Sequence, residues 1–370
     1  MSEVHCQIVP SSTLRRLARQ RGVSAEVRRA LEDTLRIDAQ FREVRAQANL
    51  LSQLAGPTIM RSAARPRPPV VSVFDCKNLK VLPGVQVTAP GTSSDVTAKT
   101  VYVETTKVAQ FYKAAFKRRS IDDAGMALLS SVHYGVRYNN AFWNGSQMTY
   151  GDGDGSIFVD FSKGNDVIAH ELTHGVTQHT LQLNYTDDAG GLNESLSDCF
   201  GSMFRQWQGS QSVDQADWLI GSDIMGPAAI QRGYTCLRDM ANPAASHCLS
   251  AQPTAYGKLK PGMDPHESSG PPNLAFANAC LAAGGKSWAT VGRVWYHAMT
   301  SSGAQPDLTM PDFASMTRSS AATLFPSRPA IAADHLAPLT TTGVDALDVL
   351  GTWRVLDALA AAAAGSPRTS

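Results

Sequence analysis

The stretch DVIAHELTHGVTQHT (residues 166–180) constrains the fold more than any other part of the chain. Its apolar residues recur at helical spacing, and the same helix must carry His170, Glu171 and His174. Residues four apart in a helix stack on one face, so His170 and His174 can hold a single ion while Glu171 projects beside it. Further on, GGLNESLSDCF repeats the device, with Glu194 and Asp198 again four apart on a helical pattern expected over about 192–208. Glu194 completes two His and one carboxylate, the donor set of a catalytic zinc site that leaves its fourth position open for water. Asp198, one turn along, can accept the spare N–H of a ligating His and fix its tautomer. Satisfied core histidines and a solvated acidic face account for either pair alone. They do not account for both, because a buried helix face should not carry His and Glu without partners.

A chain of 370 residues can bury a sizeable core in two or three domains. With 43% hydrophobic and 18% charged residues it reads as an ordinary globular protein, and no apolar run approaches the 18 or more residues of a membrane span. The start MSEVHCQIVPSSTLRRLARQRG has no apolar stretch between a basic beginning and a small-residue cleavage site. Synthesis in the cytoplasm is therefore expected, with any export by a non-classical route. The six cysteines contain no CxxC pair, which fits a reducing compartment. Cys236 and Cys248 can close a short loop or stay as buried thiols.

Charge is divided unevenly. Residues 1–67 hold twelve Arg, no Lys and six acids, a net +6; the remainder holds 21 Lys plus Arg against 26 acids, a net −5. Residues 14–54 repeat apolar positions at three and four, the mark of amphipathic helices, and SAARPRPPV (62–70) reads as an exposed linker open to proteolysis. The basic segment lacks aromatic interleaving, so docking on its own acidic body is preferred over nucleic-acid binding. VVSVFDCKN and KTVYVETT have strand composition, YGDGDGSIFVDF suggests a turn-rich hairpin, and NLAFANACLAAGG, WATVGRVWYHAMT and DFASMTRSSAATLF follow helical patterns.

At this point the residues resemble the thermolysin-like family of zinc endopeptidases, from about residue 71 onward. The motifs are YNNAFWNGSQMTYGDGDG (138–155), HELTH (170–174), GGLNESLSD (190–198), CLRDMANP (236–243) and DPHESSGPPN (264–273). The resemblance implies an α+β, two-lobed fold: a strand-rich lobe with the HELTH helix over 69–185, and a helical lobe over 186–370. It also implies one Zn2+ on His170, His174 and Glu194, with Glu171 as general base toward the attacking water. Tyr185 and His266 match the oxyanion-stabilising positions. Asn140 and Ala141 would hold substrate backbone as an added strand, with Arg238 reaching a peptide carbonyl. Phe158, Phe161, Val167, Ile220 and Leu237 match the pocket beyond the cleaved bond, so cleavage is expected on the N-terminal side of Leu, Phe, Ile or Val.

Two departures stand out. Relatives with paired calcium ions place a Glu where this chain has Arg205, and acids where it has Leu219 and Ser222; although Asp166 is retained, no paired-calcium site is expected. The Asp that usually orients the second oxyanion donor is replaced by Pro261, leaving Asp264 as either a substitute or a plain turn acid. The N-terminal segment with CQIVP (6–10) is similar to the propeptide of the protealysin-like branch. It implies a self-inhibited precursor in which residues 1–68 block the cleft and are cut off near the linker. Cys6 either caps the zinc or is a spare buried thiol. Partners expected are then protein or peptide substrates, the chain's own propeptide and a protein inhibitor. The competing reading is a dead or permanently inhibited protein acting as a binding module: Pro261 supports it, and the retention of Glu171, Tyr185 and His266 opposes it.

Overall fold

A computed structural model describes residues 6–55 and 68–325, except for the side chains of 42–55. The linker cut site expected near 62–70 and the C-terminal tail therefore lie largely outside the described residues. The chain begins with β1 (Cys6–Gln7), α1 (Ser11–Ala18) and α2 (Ala25–Ala55). After the linker come β2 (Val71–Asp75), β3 (Val85–Gln86), α3 (Val96–Phe116), β4 (Leu128–Val132), β5 (Ala141–Trp143), β6 (Met148–Tyr150) and α4 (Asn165–Gln178). The helical half comprises α5 (Asp187–Gln208), β7 (Leu219–Ile220), α6 (Pro227–Gln231), β8 (Arg238–Asp239), α7 (Pro265–Ser268), α8 (Gly270–Ala283), α9 (Val291–Ser301) and α10 (Met310–Leu324). This is the α+β division expected.

The main sheet runs β1-β5-β6-β4-β2-β3. Its core is parallel through β6-β4-β2, while β1 adds antiparallel to β5 with Cys6 opposite Trp143 and Gln7 opposite Phe142. The first strand of the N-terminal segment thus completes a sheet whose other strands all follow the linker.

Two expectations are corrected. KTVYVETT lies inside α3, although Val101, Val103, Thr105 and Thr106 favour strands intrinsically. Asp95 caps the helix by accepting from the Ala98 N–H at 3.1 Å, and Val101, Thr105, Val108 and Tyr112 form its buried face; tertiary packing outweighs β-propensity. The hairpin is formed by β5 and β6, joined through residues 144–147, rather than by YGDGDGSIFVDF, most of which has no regular secondary structure. There Gly151 and Gly153 lie against the backbone of Tyr138 and of Phe158, where a Cβ would collide. The α5 helix also begins earlier than its apolar pattern, at Asp187, because the glycines of its first turns pack closely: a Cβ on Gly190 would sit 2.9 Å from the Tyr185 carbonyl carbon.

α4 and α5 pack side by side in the middle of the molecule. Gly201 makes the close approach possible, since a Cβ there would meet the Asp166 carbonyl oxygen at 2.8 Å. Around the pair, Phe111, Tyr112, Phe116, Phe200 and Phe204 form a mutually contacting aromatic cluster that fixes α3 against α5. The two chemistry-bearing helices are therefore held on a rigid support.

Candidate metal centre and cleft

α4 brings His170 and His174 onto one face, and α5 turns Glu194 toward them. The two Nε2 atoms are 3.1 Å apart, His170 Nε2 is 3.4 Å from Glu194 Oε2, and His174 Nε2 is 3.5 Å from Glu194 Oε1. Ligands about 2.0–2.1 Å from a tetrahedral ion stand about 3.3 Å from one another, so these three donors fit a zinc-class cation. All three residues are buried, and the oxygens of Glu171 beside them reach no side-chain donor.

The other nitrogen of each imidazole is held from behind. His170 Nδ1 meets Asp198 Oδ1 at 2.9 Å, as the spacing predicts. His174 Nδ1 lies 2.9 Å from Asn193 Oδ1 and 3.0 Å from Ser197 Oγ. These last two residues were not singled out in the sequence, although they are themselves four apart and each sits one position before an acid that was. Asp198 also accepts both arms of the Arg238 guanidinium, at 2.7 and 2.8 Å, and the Asn273 side-chain amide at 2.8 Å.

Electrostatics separates the roles. Burial pushes Glu171 up to about 8, against the opposing pull of the His170 imidazole. Burial disfavours charge on His170 too, but hydrogen bonds to Asp198 and Glu194 outweigh it and raise its pKa to about 9. His174, backed by neutral partners, is depressed by burial to about 3. Desolvation also works against Asp198, yet Arg238 and His170 hold its carboxyl well below the usual carboxylate range.

At the rim, Tyr185 donates its hydroxyl to Glu194 and lies 3.3 Å from His266 Nε2. Asp264 is the partner of His266: its Oδ1 accepts the His266 backbone N–H at 3.0 Å and meets Nδ1 at 2.8 Å. The loss of an acid at Pro261 is thus compensated three residues along. Phe158, Phe161, Val167, Ile220 and Leu237 are all fully buried and belong to one apolar cluster.

The N-terminal segment lies across these groups. The Ile8 N–H donates to the Ala141 carbonyl at 3.1 Å, and Arg238 Nη1 donates to the Ile8 carbonyl at 3.0 Å. Asn140 grips Val9 twice, accepting its N–H at 2.9 Å and donating to its carbonyl at 3.1 Å, while His266 Nε2 donates to the Gln7 carbonyl. The Cys6 Sγ comes within 4.8 Å of donor atoms of both His174 and Glu194, so the thiol stands at the metal centre. Among the described residues, the charged contacts across this interface do not set arginines of the segment on acids of the body. Across this interface Glu26 of the segment pairs with Arg137 of the body, and Asp38 accepts from Tyr138 at 2.6 Å and Asn140 at 3.0 Å. The acids here come from the basic segment. Arg16 of the segment reaches neutral groups instead, donating to the Leu249 carbonyl and lying over the Tyr234 ring.

At the far end of α4 and α5, Arg205 sits among acids: 2.5 Å from Asp223, 3.5 Å from Asp217 and 3.9 Å from the buried Asp166. Among the described residues no helix is long and apolar enough to cross a membrane.

The family model for the thermolysin metallopeptidase catalytic domain matches residues 71–178, and that for its alpha-helical domain matches 181–333. An extracellular metalloprotease of Pectobacterium carotovorum is 40% identical over 248 residues, 62% of this chain and 68% of that one. Protease PrtS of a Photorhabdus species is 36% identical over 264 residues, covering 69% and 71%. The structure of the precursor of protealysin, a metalloproteinase from Serratia proteamaculans, superposes with a TM-score of 0.74 at 31% identity, over 96% of this chain and 99% of that one. That last match takes in the segment before the linker as well as both domains. This chain belongs to the thermolysin metallopeptidase family, as a metalloprotease in precursor form.

Proposed function

We propose that the protein is a zinc endopeptidase that cleaves on the N-terminal side of large apolar residues and is made as a self-inhibited, self-processing precursor. The observation that carries this reading is the course of the segment through the cleft. The Gln7 carbonyl meets His266, the Ile8 carbonyl meets Arg238, and the Ile8 N–H meets Ala141. These are the contacts that a substrate would make on either side of its reacting bond, with Ile8 in the place of the residue after it.

His170, His174 and Glu194 would hold the ion. Bound there, zinc would lower the pKa of a water toward neutrality and polarise the peptide carbonyl. Glu171, whose pKa of about 8 reflects its burial, takes a proton from the attacking water and passes it to the leaving nitrogen as the C–N bond breaks. The Tyr185 hydroxyl and His266 Nε2 donate to the carbonyl oxygen as it gains charge. His266 can do so because Glu194 and Asp264 raise its pKa in spite of its burial. Asp198 orients His170 and, through Arg238, the substrate carbonyl. Asn140 and Ala141 pair with the extended backbone, and Phe158, Phe161, Val167, Ile220 and Leu237 select the side chain that follows the cut.

In the precursor, the Cys6 thiolate would take the open fourth position, a strong ligand displacing the water that the reaction needs. Residues 1–68 are the inhibitory part, 69–185 the lobe with the HELTH helix, and 186–370 the helical lobe. Calcium is not required, because Arg205 already supplies the positive charge among Asp166, Asp217 and Asp223. Substrates are proteins or peptides, and neither nucleic acid nor membrane is involved.

The test is the intact mass of the purified chain beside Glu171→Ala. Loss of the first 68 or so residues from the unaltered chain alone establishes self-processing and Glu171 as its agent. Two full-length masses, together with no cleavage of an apolar peptide library after the segment is removed by an added protease, would favour the permanently inhibited binding module instead.

A further inference from the structure

A second group of metal-ligating side chains lies outside the cleft, next to the stretch that carries Leu237 and Arg238. One donor atom each from Cys236, His247 and Cys248 lies within 4.8 Å of the other two. The backbone sets this up. Cys236 and Cys248 face each other in a parallel bridge, flanked by hydrogen bonds from the Thr235 N–H to the His247 carbonyl at 3.0 Å and from the Leu249 N–H to the Cys236 carbonyl at 2.9 Å. His247 immediately precedes Cys248, and its Nε2 is 3.2 Å from Asp239 Oδ2. A carboxylate against the ring is the usual support of a ligating His.

The sulfur geometry favours an ion over a disulfide. The two Sγ atoms are 3.9 Å apart. Two thiolates about 2.3 Å from a tetrahedral ion stand about 3.8 Å apart, whereas a disulfide needs about 2.0 Å. Both sulfurs are buried, beside Ala245 and Leu219, while the His247 side chain is 38% exposed, so an ion can enter from solvent on that side.

We propose that Cys236, His247 and Cys248 bind a second, thiophilic divalent ion of the zinc class, separate from the catalytic centre, with a fourth position open to solvent. Binding releases the protons of both thiols. It ties β8 to residues 247–250, and that stretch carries contacts to the N-terminal segment: Arg16 donates to the Leu249 carbonyl, and Thr13 Oγ1 meets Ser250 Oγ at 2.8 Å. The ion would therefore stiffen the wall on which the segment rests.

The test is zinc content per chain, measured by mass spectrometry on the full-length protein after reduction, zinc loading and exchange into zinc-free buffer. The unaltered chain is expected to retain one ion more than His247→Ala, whose substitution at a part-exposed position should leave the fold intact. His174→Ala should lose a different ion and keep this one. Cadmium should give near-ultraviolet thiolate absorption that Cys248→Ser diminishes and that Cys6→Ser leaves mostly in place. Equal zinc in the unaltered chain and His247→Ala would overturn the proposal. So would a mass two hydrogens lighter that persists under reduction, since that is a Cys236–Cys248 disulfide.

Discussion

The two ends of the α4–α5 pair solve the same electrostatic problem in opposite ways. At one end, His170, His174 and Glu194 converge with their donor atoms toward one another and no arginine or lysine among them. At the other, Asp166, Asp217 and Asp223 converge on the guanidinium of Arg205. On the proposed reading, one cluster is built around an exchangeable charge and the other around a covalently attached one. A buried carboxylate needs a positive partner, and the chain either supplies it or leaves room for it. Where chemistry is done, the room is left.

This contrast can be broken at several points. The largest effect is expected from Glu171→Ala, which should lower peptide hydrolysis by at least 10²- to 10⁴-fold while zinc content stays unchanged, separating proton transfer from metal holding. Equal loss of zinc would mean that Glu171 shapes the donor set itself. Next comes Asp198→Ala, which strands the buried Arg238 and frees the His170 ring. Unfolding should come about 3–5 kcal/mol sooner in denaturant, and zinc affinity should fall by about 10- to 100-fold. A variant with normal stability would show that Asn273 and water suffice to hold that network.

Arg205→Glu converts the closed end into an open one. Calcium should then stabilise the variant by an amount set by its saturation, about 2.7 kcal/mol at a hundredfold excess over Kd, and so raise its melting temperature while leaving the unaltered chain unmoved. Calcium stabilisation of the unaltered chain would contradict the account of Arg205.

The smallest effect concerns a third kind of partner. His133 lies between Asp152, at 2.8 Å, and Asp95, at 3.0 Å, and the hydrogen bond to Asp152 leads in raising its pKa to about 9. A folded pKa above the ordinary value of about 6.5 means that the stabilisation is fully present below pH 6.5. It fades as pH rises through about 9. Unfolding free energy should therefore drop across that window by on the order of 1 kcal/mol, after allowance for solvent screening, and His133→Gln should flatten that slope. An unchanged slope would place the titration elsewhere.

How much of this could be read in advance depends on whether the physics is local. His170 with His174, and Glu194 with Asp198, are legible because helical periodicity fixes their relation within a few residues. The helical patterns of α8, α9 and α10 were legible for the same reason. The placement of α3 was not, because its β-branched residues favour a strand and only long-range packing decides otherwise. Asp264 as the support of His266 depends on a four-residue helix whose cap is Asp264 itself, a detail below the resolution of pattern. Asp38, which reaches Tyr138 and Asn140 across a hundred residues of sequence, left no signal at all. The Cys236–His247–Cys248 group is similarly hidden, since its spacing matches no helix or familiar finger and exists only because an isolated parallel bridge brings two loops together.

The strand Cys6–Gln7 and the sheet edge that it occupies belong to one polypeptide. On the proposed reading, while the chain is whole the blocker is present at an effective concentration fixed by the linker, and diluting the protein does not weaken it. After a single cut between α2 and β2 the same contacts remain available, but the blocker becomes a separate solute. Its occupancy then falls with total protein concentration, so the cut makes inhibition depend on crowding and volume where before it depended only on geometry.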